Sequence, residues 1–459
     1  MPIPKREATA ILGSLAAGVV PRTGLRHIAV GRFREIQALK QDLDRIRDGG
    51  ATVRFVIGRY GSGKSFLLQL VRLYALESKF VVADADLSPD RRLQGTGGQA
   101  IATYRELMRN LSTQLRPDGN ALPVIIERWI SNVQTAVSAQ RGLTPTSLGF
   151  AEAVQNEIGQ ILQNMHELVH GFDFSQVINS YYRGYLSGDE TLRSNALRWL
   201  RGEFSTKTEA RDALGVRNII DDDNWYDYLK VIARFAHDVG YAGMMIIIDE
   251  AVNLYKITNS VSRNNNYERI LTIVNDCLQG RSGYFGFLFG GTSEFLEDQR
   301  RGLFSYEALR SRLAESRFAN SELQSFSEPV LRLAPLSQDE FFVMLQKARE
   351  IHREHVPDSR PIDDQGLVAF MEEALNRVGS SQFTTPREIL RDFVQLMNVL
   401  AENPNKDWRE ILRGMASATP SQENITDDKL DNSGDLIQQT PPIESASDPL
   451  DRFTNFKVN

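Results

Sequence analysis

Cysteine is nearly absent: Cys277 is the single one among 459 residues. That excludes an internal disulfide framework and any cluster of thiolate ligands, and it suits a reducing compartment. Long apolar runs are missing too. The strongest, Met244 to Ile248, is far shorter than the ~20 residues a membrane-spanning helix requires. No apolar run of signal-peptide length follows the opening Met-Pro-Ile-Pro-Lys-Arg, so the expectation is a cytoplasmic protein with no membrane association. Nor is there an excess of positive charge. A net charge of -6 gives no overall attraction to nucleic acid or an anionic membrane, and binding of either would need a local basic face.

What is present describes a folded protein of several parts. Apolar residues make up 41% and charged residues 24% of the chain, close to globular averages. At roughly 100 to 200 residues per domain the length implies more than one core. Residues 5 to 18 read as a short helix. Ile36, Leu39, Leu43 and Ile46 then recur at helical spacing. Thr52 to Ile57 is β-branched and apolar, Gly58 to Gly63 interrupts it, and Phe66 to Tyr74 resumes with helical spacing. Phe80 to Ala85 reads as a second strand ending near Asp84 and Asp86.

From Leu87 to Val239 the pattern changes to amphipathic stretches such as Ala100 to Leu115, Ala151 to Val169 and Leu192 to Arg201. Strand character returns at Met244 to Ile248 and at Tyr284 to Phe289, with a helix over Tyr267 to Leu278 between them. Helical patterns then cover Gln338 to Glu354, Asp363 to Arg377, Pro386 to Ala401 and Trp408 to Met415. The expected fold is α/β: a three-layer P-loop NTPase core with a large helical insertion and a C-terminal helical lid. Its expected parts are an N-terminal helical segment (1–24), the first part of the core (25–86), the insertion (87–239), the second part of the core (240–335), the lid (336–415) and a tail (416–459). The tail is polar and expected to be disordered; Leu450, Phe453 and Phe456 near its end are candidates for docking on a partner.

The chemistry is carried by Gly58-Arg-Tyr-Gly-Ser-Gly-Lys64-Ser65, a complete phosphate-loop motif between a strand and a helix. Its glycines let consecutive backbone N–H groups curl around phosphates, a lysine pairs with the β and γ oxygens, and the hydroxyl is a magnesium ligand. Gly58, Arg59, Tyr60, Gly61, Ser62, Gly63, Lys64, Ser65 and Phe66 are therefore the expected ATP contacts. Magnesium takes hard oxygen ligands and keeps several waters, so an acidic group must reach the same place from another strand. Asp249 and Glu250, at the end of Met245-Ile-Ile-Ile-Asp-Glu, supply it: Asp249 with Ser65 for Mg2+, Glu250 to polarise the attacking water.

Two other signals compete. His166-Glu-Leu-Val-His170 fits the zinc-peptidase pattern, with Glu190 as a conceivable third ligand. Val154, Ile158, Ile161, Met165 and Leu168 form an apolar stripe, however, and place both histidines on its polar flank. His352 and His355 carry similarly weak claims. Arg193, Arg198, Arg201, Lys207, Arg211 and Arg217 interleave with Glu190, Glu203, Glu209 and Asp212, a mixed solvated surface or a face that tracks DNA phosphates.

The order of accessory residues resembles the AAA+ class of ATPases. Gly290-Gly-Thr292-Ser293 ends a strand where that class carries a polar sensor, implying this role for Thr292. Tyr306-Glu-Ala-Leu-Arg310-Ser-Arg312-Leu resembles the segment bearing an arginine finger, and Thr385-Pro-Arg387-Glu resembles the second sensor. With Val30-Gly31-Arg32 before the phosphate loop and Leu331-Arg-Leu-Ala-Pro335-Leu-Ser337 after the sensor, the chain is similar to ATPases of the origin-recognition and STAND types, which adds Val30 and Gly31 to the nucleotide contacts. Trp199-Leu-Arg-Gly-Glu203, the Asn224-Trp-Tyr stretch and Ile-Ile-Asp-Glu-Ala-Val-Asn253-Leu-Tyr255 resemble the ATP-binding proteins of BREX phage-defence systems over roughly residues 25 to 400. That resemblance implies ATP and Mg2+ as cofactors, a homo-oligomer, other defence-system proteins as partners, and DNA as a candidate partner. It implies an ATPase that drives assembly or remodelling of a defence complex. A nucleotide-gated switch or scaffold with little turnover is the alternative, and a zinc metallopeptidase through His166 and His170 a remote one. No segment after the lid is long enough for a winged helix, which departs from the origin-recognition pattern.

Overall fold

The apolar runs of the sequence become strands of one sheet in the computed structural model, which describes residues 3–165, 169–280, 283–315, 326–357, 359–360, 362–376 and 385–416. Helices α1 (Lys5–Ala16), α2 (Leu25–Ile28) and α3 (Phe33–Arg47) precede β1 (Ala51–Ile57), α4 (Lys64–Glu77) and β2 (Val81–Asp86). A helical stretch follows: α5 (Gln99–Arg109), α6 (Leu122–Arg141), α7 (Phe150–Met165), α8 (Gly171–Ser187), α9 (Glu190–Leu200), α10 (Lys207–Leu214) and α11 (Trp225–Asp238). Then come β3 (Met244–Asp249), α12 (Val252–Tyr255), α13 (Ser260–Leu278), β4 (Phe285–Gly291), α14 (Ser293–Glu297), α15 (Glu307–Leu313) and β5 (Val330–Arg332). The order ends with α16 (Gln338–His355), α17 (Asp364–Asn376), α18 (Pro386–Glu402) and α19 (Trp408–Ala416). No helix among the described residues is long and apolar enough to cross a membrane.

The chain divides into two units, one within Arg32–Tyr60 and Lys64–Ala334, the other within Met1–Gly31, Gly61–Gly63 and Pro335–Asn459. The first holds a five-stranded sheet in the order β2-β3-β4-β1-β5, with every pair parallel. Side chains of period two divide between its faces. Val56, Val82, Met245, Ile247 and Leu288 pack with Leu39 and Leu43 of α3 and Leu67, Leu68 and Val71 of α4. Phe55, Ala83, Ile246, Phe287 and Phe289 point the other way, into a core shared with α5, α11 and α13. Both faces are thus covered, which is why the strands read as continuous apolar runs rather than alternating ones.

Parallel strands place all their carboxyl ends on one rim. Register pairs Ile57 with Gly291 and Asp86 with Asp249, so the loop after β1, the acids after β3 and the turn after β4 meet there. Helix α4 leaves β1 along one face while α13 lies against β1 on the other. Ligand crevices of open α/β sheets form where neighbouring connections part in this way.

The helix expected to reach Leu115 stops at Arg109, with Asn110 as its C-cap. Asn110 donates from its side chain to the Asp84 carbonyl at 2.9 Å, and Ser112 exchanges backbone hydrogen bonds with Val82 at 2.9 and 2.7 Å. Leaving the helix lets this segment cover the edge of β2, whose unpaired amides would otherwise stand open. On the α3 side, Arg54 and Asp42 form a buried two-pronged ion pair at 2.5 and 2.9 Å. The guanidinium also donates to the Glu328 carbonyl, which satisfies the charge that burial would otherwise penalise.

In the other unit α1, α16 and α18 pack together, α17 packs on α16, and α19 on α17 and α18. Capping boxes start two of these helices, Ser337 with Glu340 on α16 and Thr385 with Glu388 on α18, each satisfying two otherwise orphaned amides. His352 is fully buried there, with Nδ1 2.7 Å from Ser359 Oγ and Nε2 3.1 Å from Asn398 Oδ1. Burial holds its imidazole below its ordinary value of 6.5, against the Asn398 contact. This is a satisfied core histidine rather than a metal ligand.

Candidate nucleotide site

The loop from Gly58 begins where β1 ends, and the Gly58 amide donates to the Gly291 carbonyl at 3.2 Å. Gly61 and Gly63 have φ of 76° and 86°, a left-handed backbone that residues with a Cβ rarely adopt. Lys64 is the first residue of α4. Its Nζ donates to the carbonyls of Gly58 and Arg59, each at 2.9 Å, so the ammonium is folded over its own loop. Burial draws it below its ordinary value, while the charges of Asp249, Glu250 and Glu294 act the other way. Tyr60 is 81% exposed.

One residue further along α4, Ser65 Oγ donates to Asp249 Oδ2 at 2.8 Å across a separation of 184 residues. The sheet makes this contact: β3 ends at Asp249, and only β4 stands between it and the loop-bearing β1. Asp249 Oδ1 accepts the Glu250 amide at 2.8 Å. A Cβ on Gly290 would lie 2.3 Å from that same oxygen, so β4 passes this close only because the residue is glycine. Asp86, the register partner of Asp249, is raised from its ordinary value by burial, then by the charges of Asp249, Asp84 and Glu250, with Arg91 opposing.

Glu250 is exposed and has φ 57°. A non-glycine residue in the left-handed region pays on the order of 1 kcal/mol or more, a conformation that persists only where its surroundings fix it. Here they do. Leu87 N donates to the Asp249 carbonyl at 3.0 Å, Ala251 N to the Gly290 carbonyl at 3.0 Å, and Asn253 N to the Glu250 carbonyl at 3.0 Å.

The remaining expected residues fall in different places. Thr292 follows β4 directly and caps α14, its hydroxyl accepting from Phe295 N at 3.4 Å. Glu294, two residues on, was not singled out by any motif, yet its charge is felt at Lys64. On α15, Arg312 donates to Asn275 Oδ1 at 2.8 Å and to the Ala308 carbonyl at 2.7 Å. Arg310 is half exposed and stands 3.9 Å from the largely exposed Glu307. Val30, Gly31 and Arg387 belong to the other unit. Gly31 has φ 66° and faces the Glu340 carboxylate, which a Cβ would strike. Arg387 is exposed in the first turn of α18.

A second glycine-rich run, Gly95-Thr-Gly-Gly98, also opens a helix, but a carboxylate of the chain already caps it. The Asp222 carboxylate accepts from Gly98 N at 2.7 Å and Ile101 N at 2.8 Å, acting as the anion that a helix N-terminus attracts.

Of the zinc pattern, His166 and Glu167 lie outside the described residues. His170 stands beyond α7 as the N-cap of α8, with φ 65°, and its ring stacks on Tyr228 at 4.8 Å. Glu190 pairs with Arg193 at 2.6 Å. Of the basic residues of the insertion, Arg193 also meets Glu127 at 3.1 Å, Arg198 meets Glu209 at 2.9 Å, and Arg211 stands 3.9 Å from Asp212. Cys277 is buried, and burial, with the neighbouring Asp276, pushes its thiol up to about 12. Leu450, Phe453 and Phe456 lie outside the described residues.

No curated protein matches the chain. The model of one protein family does, that of the BREX system ATP-binding protein BrxC/D, over residues 3–416. With a complete phosphate loop, an acidic strand end bonded to it, and a family match over most of its length, the chain belongs to the BREX system ATP-binding protein BrxC/D family.

Proposed function

We propose that this chain binds ATP with magnesium at its phosphate loop and hydrolyses it, using the cycle to assemble or remodel a BREX defence complex. The observation that carries the reading is the 2.8 Å bond from Ser65 to Asp249. It joins the hydroxyl of one motif to the carboxylate of another, the two hard oxygen ligands that magnesium takes alongside water and phosphate. The ion would be held by Ser65 and Asp249, and when bound it offsets negative charge on the β and γ phosphates.

The protein's own residues do the rest. Lys64 leaves the Gly58 and Arg59 carbonyls for the β and γ oxygens, and amides of the loop beyond Gly58, from Arg59 to Phe66, cradle the phosphates. Glu250 accepts a proton from water as its oxygen attacks the γ-phosphorus; the bond to the bridging oxygen breaks and ADP leaves. Thr292 senses the γ-phosphate from the neighbouring strand. Arg310 is the better finger of the two candidates, because Arg312 is already bound to Asn275 and its own helix. On this reading the sheet unit is an AAA+-like core with its insertion, and helices α16 to α19 belong to a helical lid domain that carries Arg387.

The test is ATP titration calorimetry with and without magnesium on wild type, Ser65→Ala and Asp249→Asn. Magnesium should tighten binding to wild type and have little effect on either variant. Equal magnesium dependence in all three would remove the assignment. Tight ATP binding without turnover under any condition, including with DNA, would favour the switch or scaffold instead.

A further inference from the structure

The left-handed turn at Glu250 is tied to the end of β2 by a side chain. Asn253 Nδ2 donates to the Leu87 carbonyl at 2.9 Å and to the Glu250 carbonyl at 3.3 Å, while the Asn253 amide donates to that same Glu250 carbonyl at 3.0 Å. Leu87 closes the ring by donating to the Asp249 carbonyl at 3.0 Å. Glu250 cannot leave φ 57° without swinging its carbonyl away from both donors of Asn253.

We propose that Asn253 is a positioning residue: its amide locks the Glu250 turn against β2 and so fixes the direction in which the Glu250 carboxylate leaves the rim. This rests on Glu250 acting as the base toward water. The side-chain amide is what the geometry demands, because the Leu87 carbonyl needs a donor. Aspartate of the same size would set an oxygen against that carbonyl, and alanine would leave it without this partner. Asn253 has no need to touch nucleotide in this role, so its loss should be felt in the chemical step and not in binding.

The experiment compares wild type, Asn253→Asp, Asn253→Ala and Glu250→Gln for kcat, for the Kd of a non-hydrolysable ATP analogue with magnesium, and for thermal unfolding. A base displaced by a fraction of an ångström to an ångström loses about tenfold to a hundredfold in rate. Both Asn253 variants should show that fall in kcat, with analogue Kd within about twofold of wild type and a melting temperature close to it. Asn253→Asp with near wild-type kcat overturns the role, since it keeps the volume and loses only the donor. A fall in which analogue affinity drops as far as kcat overturns it too, because the residue then supports the fold rather than the direction of Glu250. Undiminished turnover in Glu250→Gln is a separate failure: it removes Glu250 as the base, whatever Asn253 does.

Discussion

Gly290→Ala places one methyl group against the pair that would hold magnesium. Built on the present backbone, the new Cβ lies 2.3 Å from Asp249 Oδ1, 2.8 Å from Leu68 Cδ1 and 3.1 Å from Asp249 Cγ. Real Cβ atoms essentially never come within 3.0 Å of another heavy atom, so carboxylate and strand must part by roughly 0.7 Å or more. The backbone has little room to yield. Gly290 pairs with Val56 in register, and its carbonyl accepts the Ala251 amide at 3.0 Å. The carboxylate therefore turns instead, and the 2.8 Å contact with Ser65 is lost or stretched. Overpacking of this kind costs about 1 to 3 kcal/mol of stability, and misplacing a reacting group by about an ångström costs on the order of a hundredfold in rate. ATP turnover titrated with magnesium should show a much lower kcat and a higher magnesium requirement, in a protein that still unfolds cooperatively. Wild-type turnover with an unchanged magnesium curve would refute the placement of Asp249 at the metal.

Arg310→Ala should lower turnover on the order of a hundredfold or more, the scale at which arginine fingers act, and far beyond the small effect of losing its weak contact with Glu307. If it acts on a neighbouring subunit, mixing Arg310→Ala with Glu250→Gln restores part of the activity, because each supplies what the other lacks; no recovery on mixing would place its action elsewhere. His352 gives a pH prediction. Its folded value lies below 6.5, so above that pH it is neutral folded or unfolded. As pH falls through 6.5 the unfolded chain takes up a proton that the buried ring resists, and stability is lost. Melting temperature should drop between about pH 7 and about pH 5.5 more steeply in wild type than in His352→Gln; parallel curves would contradict this.

The candidate site could be proposed from sequence where chemistry constrains neighbouring residues, and the structure brings Ser65 and Asp249 together. Gly58 to Ser65 could be read because phosphate binding needs those residue types at that spacing, and Asp249 stood out at the end of a run too apolar to be anything but a buried strand. Their meeting was inferred from chemistry, and the sheet order realises it. Sequence hid what depends on distant partners. β5 has three residues, too few to show a period. The true end of α5 is set by Val82 and Asp84 on another strand, and its N-terminus by Asp222, more than a hundred residues away. Gly290 and Asn253 lie in segments noted for their resemblance to known families, but their closeness to Asp249 and Glu250, like that of Glu294 to Lys64, is set by the fold and not by any spacing in the sequence.

The most direct test is steady-state ATP hydrolysis with parallel ATP-binding titrations on wild type, Lys64→Ala and Glu250→Gln, each with and without double-stranded DNA. The account predicts turnover by wild type, loss of both binding and turnover in Lys64→Ala, and Glu250→Gln that binds ATP but does not hydrolyse it. Binding and turnover undiminished in Lys64→Ala would contradict it.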